Sequence, residues 1–150
     1  MSKVFSFIPL FFLSVMTYAQ EKPGIEWHTF SEVISLVEEK PKMVLVNVYV
    51  DWCSWCKKME KETFTDQEVI DYINENFYPV KINGESTAEK YEFRGEKYTD
   101  ASMARAMRAT SYPNFVVMDA AMENITLMPG YRNPESFLTS LGELLDEFNP

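Results

Sequence analysis

The run Met43-Val44-Leu45-Val46-Asn47-Val48-Tyr49-Val50 constrains the fold more than any other stretch of the chain. It is apolar at almost every position and rich in β-branched residues, without the alternation of a strand that is wet on one face. A strand of this kind is buried on both faces, as in a sheet with helices above and below it. The sequence on either side agrees. Phe30, Val33, Ile34 and Val37 recur at helical spacing behind Thr29, and Glu32 completes a capping box, so a helix is expected to about Glu39, with Pro41 breaking it. After the strand, Asp51-Trp52 ends the extended run, and Cys53 to Lys61 lacks Gly and Pro and favours helix.

A second capping box, Thr65 with Glu68, is expected to open a helix carrying the stripe Val69, Ile70, Ile73 and Phe77. Phe77 to Asn83 reads as another strand, placed toward the sheet edge by Pro79, which has no N–H for a ladder. Gly84 to Tyr98 is polar, without clear period and long for a connection; it is either a surface loop or a small insertion with structure of its own. Thr99 is positioned to cap a helix through Met107. Asn114 to Met118 and Ile125 to Met128 read as a β-hairpin, punctuated by Gly130. Asn133 and Pro134 open a last helix with Phe137, Leu138, Leu141, Leu144, Leu145 and Phe148 on one side. Strands separated by helices are expected to be joined by parallel crossovers, and the closing hairpin is antiparallel. The expected class is α/β, a central mixed β-sheet flanked by helices on both faces.

The N-terminus speaks to compartment. Met1-Ser2-Lys3 is short and basic, Val4 to Met16 is almost wholly apolar, and Thr17-Tyr18-Ala19 ends in small residues. This pattern is expected to be a signal peptide, residues 1–19, cut after Ala19, leaving one domain over residues 20–150. An uncleaved N-terminal anchor is the alternative. The expected location is exported, periplasmic or secreted. Loss of Lys3 takes the formal charge from −9 to −10, and such acidity argues against nucleic acid or an anionic membrane as a partner.

The chain has two cysteines, Cys53 and Cys56, three apart. A full zinc site needs two more soft ligands, and the sequence offers no third cysteine and one histidine, His28, so no metal and no other cofactor is expected. A disulfide three residues apart closes too small a ring to be a good structural staple, which favours a redox-active pair in an oxidising compartment. Cys53 falls where strand gives way to helix. Exposed N–H groups and the helix dipole stabilise a thiolate there, so Cys53 is expected to be ionised easily and open to solvent, with Cys56 one turn inside and better shielded. Burial of the first sulfur would count against that reading.

Trp52-Cys53-Ser54-Trp55-Cys56-Lys57 at a strand-to-helix junction, Tyr112-Pro113 before a strand, and Gly130 after the closing hairpin together resemble the thioredoxin-like superfamily, over roughly Phe30 to Phe148. The pattern Asp51 to Met59 is most similar to exported bacterial thioredoxin-like proteins. The resemblance implies a protein thiol-disulfide oxidoreductase in which Cys53 is the nucleophile, Cys56 the resolving thiol and Pro113 a cis proline facing the pair. It further implies that Tyr112 offers main-chain groups to a substrate strand. An ordinary trans proline is the alternative for Pro113. Two departures matter. Ser54-Trp55 stands between the cysteines, and Asn47 stands where thioredoxins carry a buried acid, so Asn47 cannot act as a base. Lys81 falls at the family's partner lysine and is either a modulator of the pair or a solvated edge charge.

Trp52 and Trp55 are candidates for an apolar platform that binds substrate, or for a cover over the helix start. Asp51 is expected to be solvated and His28 to be a surface or core residue. The expected partners are protein disulfide substrates and a membrane or soluble thiol-disulfide electron donor. A thioredoxin-like binding module with a non-cycling disulfide is the rival class, and a zinc-binding domain the third.

Overall fold

A computed structural model describes residues 23–148. The expected signal peptide lies outside the described residues. Helix α1 (Phe30–Glu39) begins at the capping box: the Thr29 hydroxyl accepts from Glu32 N–H, and the Glu32 carboxylate accepts from Thr29 N–H. Strand β1 (Met43–Tyr49) follows, then α2 (Ser54–Glu62) and α3 (Gln67–Asn76). The cap of α3 is Asp66, whose carboxylate accepts from Glu68 and Val69 N–H. The expected Thr65 capping box does not form: the Thr65 hydroxyl instead donates back to Lys61 O at 2.8 Å, a local bond available because α2 ends just before it.

Strand β2 (Phe77–Asn83) lies parallel to β1 at the sheet edge, in the order β2-β1-β5-β6. Pro79 is tolerated at that edge, where its carbonyl accepts from His28 N–H and residue 28 bridges Val80. The segment after β2 has structure of its own, a hairpin of β3 (Tyr91–Phe93) and β4 (Glu96–Tyr98). Its two-residue turn, Arg94-Gly95, has positive φ at both positions, the geometry that suits the strand twist. Helix α4 (Asp100–Ala106) starts at Thr99, and β5 (Asn114–Met118), β6 (Ile125–Pro129) and α5 (Pro134–Phe148) complete the chain.

One connection departs from expectation. Strand β5 follows α4 yet runs antiparallel to β1. A parallel strand needs a crossover that spans the sheet, roughly 23 Å for seven strand residues. The seven residues of α4 cover only about 10 Å as helix. The chain therefore re-enters the sheet near the end it left, with Asn114 beside Val48.

Alternating residues of the strands feed two apolar layers. Val44, Val46, Val48, Val80, Ile82 and Val116 pack with α1, α4 and the hairpin, while Leu45, Phe77, Phe115 and Val117 pack with α3, α5, Met59 and Phe64. In the second layer Phe137 of α5 meets Phe115 and Phe64 edge-on at 4.9 and 5.8 Å. Each such ring contributes about 1.5–3 kcal/mol by burial, and together they fix the sheet end from which the Cys53 loop departs.

Candidate active site

β1 delivers the chain to the cysteines and α2 begins on them. Cys53 N–H donates to Val50 O at 3.2 Å, closing the turn, and Cys53 is the N-cap of α2. Its sulfur accepts from Cys56 N–H at 3.0 Å. A side chain that satisfies one of the free N–H groups at a helix start is what an N-cap supplies, and here the acceptor is sulfur. Cys53 and Cys56 form a disulfide with Cα atoms 5.3 Å apart.

The Tyr112-Pro113 peptide is cis. Pro113 O accepts from Gly130 N–H at 2.8 Å, and Gly130 has φ 90°, a left-handed conformation that favours glycine. The loop before β5 and the end of β6 are thereby joined beside the cystine.

The expectation of an open first sulfur is not met. Cys53 is 4% exposed and Cys56 6%, so neither the openness nor the contrast between the two exists in the disulfide form. The reason is tertiary: Val50, Tyr49 and Tyr112 pack against the cystine. Sequence spacing placed Cys53 at a helix start but carried no information about those covering rings.

The tryptophans are exposed, Trp52 at 67% and Trp55 at 54%. Trp55, Tyr112, Pro113, Gly130 and Tyr131 line a groove of about 330 Å³ next to the disulfide. Trp55 and Tyr131 lie 5.3 Å apart, and Lys58 Nζ sits over both rings, at 5.2 and 4.7 Å. The Tyr131 hydroxyl donates to Glu62 at 2.7 Å, and that hydrogen bond to the carboxylate pushes the phenol up from its ordinary value. Trp52 also meets Tyr112, its ring edge-on at 6.1 Å.

Below the cystine, Cys56 shares a small cavity of about 140 Å³ with Tyr49, Asp51, Glu60 and Lys81. Lys81 Nζ pairs with Glu60 at 2.6 Å and lies 4.9 Å from the centre of the Tyr49 ring. Asn47, 2% exposed, is the strand partner of Lys81. Asp51 is exposed and accepts from Asn83 Nδ2 at 3.3 Å, and His28 serves the β2 edge, away from the cystine. Glu60, Tyr131, Gly84 and Glu85 were not singled out from sequence. Glu60 had a signal, since it stands four residues after Cys56 on one helix face; the other three are brought in by tertiary contacts alone.

Comparison with known proteins agrees with this geometry. A thiol:disulfide interchange protein DsbD of Yersinia enterocolitica is 28% identical over 112 residues, 73% of this chain, and the chain spans only 18% of that relative's length. Among solved structures, a DsbH oxidoreductase superposes with TM-score 0.67 at 15% identity, covering 86% of this chain and 93% of that one. The C-terminal domain of Neisseria meningitidis DsbD in the oxidised form gives TM-score 0.56 at 17% identity, covering 77% of this chain and 98% of that one. The sheet order, the disulfide at the start of α2 and a family match over residues 30–145 converge: the chain belongs to the thioredoxin-like domain family.

Proposed function

We propose that the protein is an exported thiol-disulfide oxidoreductase that reduces or isomerises protein disulfides through Cys53 and Cys56. The observation that carries this reading is the Cys53–Cys56 disulfide at the first turn of α2, with Cys53 as the cap. In the reduced form the Cys53 thiolate attacks a substrate disulfide, forming a mixed disulfide and releasing one substrate thiolate. Cys56, as thiolate, then attacks the Cys53 sulfur and releases the second substrate thiolate. Two electrons pass to the substrate, and the Cys53–Cys56 disulfide remains. A thiol-disulfide donor, soluble or in a membrane, returns the dithiol. The helix start favours the Cys53 thiolate through its dipole and the Cys56 N–H.

The remaining residues have proposed roles in that cycle. Trp55, Tyr112, Pro113 and Trp52 bind the substrate chain, with Tyr112 offering main-chain groups beside the cis proline. Lys81 modulates Cys56 with its partner Glu60, and the buried Asn47, beside Lys81 in the sheet, supplies no proton acceptor of its own. The resemblance of Asp51 to Met59 to reducing members of the superfamily favours reduction over oxidation as the direction.

Insulin reduction with Cys53→Ser and Cys56→Ser variants tests the cycle. Both are expected to lose turnover, and Cys56→Ser is expected to retain a mixed disulfide on Cys53; turnover that survives loss of Cys53 refutes the assignment. A second reading, a binding module with a non-cycling disulfide, is favoured by the 4% exposure of Cys53. A reduction potential far below about −300 mV, with nothing trapped by Cys56→Ser, selects that module.

A further inference from the structure

We infer that Tyr112 is a gate over the cystine and that the segment Asn83 to Glu85, at the root of the β3–β4 insertion, sets its position. The Tyr112 ring packs on the cluster of Val50, Cys53 and Cys56. Behind it lies Gly84. A Cβ on Gly84 would stand 2.8 Å from Tyr112 Cε1 and from its hydroxyl oxygen, so the ring occupies space that only glycine leaves free. Beside it stands Trp52, edge-on at 6.1 Å.

Trp52 is 67% exposed, so burial alone does not hold it. Its indole N–H points at the Glu85 carboxylate, 3.2 Å from both oxygens. The root is itself pinned on three sides. Gly84 N–H donates to Tyr49 O at 2.8 Å, Asn83 Nδ2 donates to Asp51 at 3.3 Å, and Asn83 N–H donates to Asp100 at 3.3 Å. These bonds to β1, the turn after it and α4 fix Asn83 and Gly84, and Glu85 N–H donates to Asn83 Oδ1 at 3.0 Å, so the root positions Trp52 and Tyr112. With Cys53 covered, an attacking thiolate reaches its sulfur once the Tyr112 ring moves. Gly84 and Glu85 are positioning residues for disulfide exchange, and a partner that engages Trp52 or the root releases the gate.

The inference uses Cys53–Cys56 as the exchanging disulfide, and its test is independent of any protein substrate. The oxidised full-length protein is reduced with excess dithiothreitol, quenched by alkylation at intervals and counted by mass. Glu85→Ala is expected to speed reduction about fivefold, the factor that loss of one ordinary hydrogen bond permits. Glu85→Gln, whose amide oxygen still accepts the indole N–H, is expected to stay near wild type. Trp52→Phe is expected to match Glu85→Ala, and the double variant to add nothing; Tyr112→Ala is expected to be fastest. A gate changes rates in both directions equally, so the reduction potential in glutathione buffer stays at the wild-type value. Wild-type rates in Glu85→Ala and Tyr112→Ala overturn the gate. So does a Glu85→Gln variant as fast as Glu85→Ala, since charge would then be the cause, and so does a potential that moves with the rate. Failure of the oxidoreductase reading is seen separately, as absent insulin turnover by the wild type.

Discussion

Replacing Tyr91 by phenylalanine is expected to stabilise the domain. The Tyr91 ring in β3 stacks on Phe30 at 5.4 Å and 19°, a contact that phenylalanine keeps. Its hydroxyl is shielded from solvent and has no hydrogen-bond partner among the described residues. A buried hydroxyl in that position carries an uncompensated desolvation cost of about 1–3 kcal/mol. The residue as a whole is only partly buried, so the lower end applies, and removing the group is expected to add about 1 kcal/mol. For a domain of this length that raises Tm by roughly 3–5 °C. Burial, with Asp100 and Tyr98 adding to it, pushes the Tyr91 phenol far above its ordinary value. The folded state therefore holds the phenolic proton more tightly than the unfolded state, and stability is lost as pH rises past the unfolded value of about 10. The advantage of Tyr91→Phe is expected to widen there. Urea unfolding followed by tryptophan fluorescence at pH 7 and pH 10.5 measures both effects. A variant less stable than wild type at pH 7 refutes the reasoning, because the hydroxyl must then be making a favourable bond.

Asp66→Ala is expected to cost about 1 kcal/mol by removing the α3 cap, whereas Thr65→Ala is expected to cost less than half of that; urea midpoints compare the two. Phe137→Ala, which empties the space between Phe115 and Phe64, is expected to cost about 3–5 kcal/mol, read as a lower urea midpoint with an unchanged slope. Burial raises the Asp100 carboxyl, more than the Asn83 N–H lowers it, so the folded state holds that proton more tightly and stability rises as pH falls through the folded value toward about 3.8. Asp100→Asn is expected to gain a few tenths of a kcal/mol at pH 7, a small figure because Asp100 is partly solvent-screened, and to lose that gain near pH 3.5 in the same assay.

The sequence alone determined what local rules govern. Thr29 and Glu32 specify the start of α1, and Asn133 with Pro134 specifies the start of α5, because caps act within one turn. Met43 to Tyr49 declares a doubly buried strand through composition alone, and Cys53 and Cys56 declare a helix-start pair through spacing. The α3 cap lies one residue beyond the expected Thr65, since Thr65 and Asp66 compete for the same N–H groups and the Thr65 hydroxyl bonds back to Lys61 O at the end of α2.

What only the tertiary structure decided lies in contacts between residues far apart in the chain. The direction of β5 depended on the physical length of α4, and the fate of Gly84 to Tyr98 on aromatic packing of Tyr91 and Phe93 against Phe30. The cover over the cysteines depended on Tyr49, Gly84, Trp52 and Tyr112, which are drawn from three separate loops and a strand end. Helix and strand periods report which face of an element is apolar; they do not report which distant ring closes over a sulfur. Exposure is a property of the assembled surface, and for Cys53 the local pattern and the assembled surface gave opposite answers.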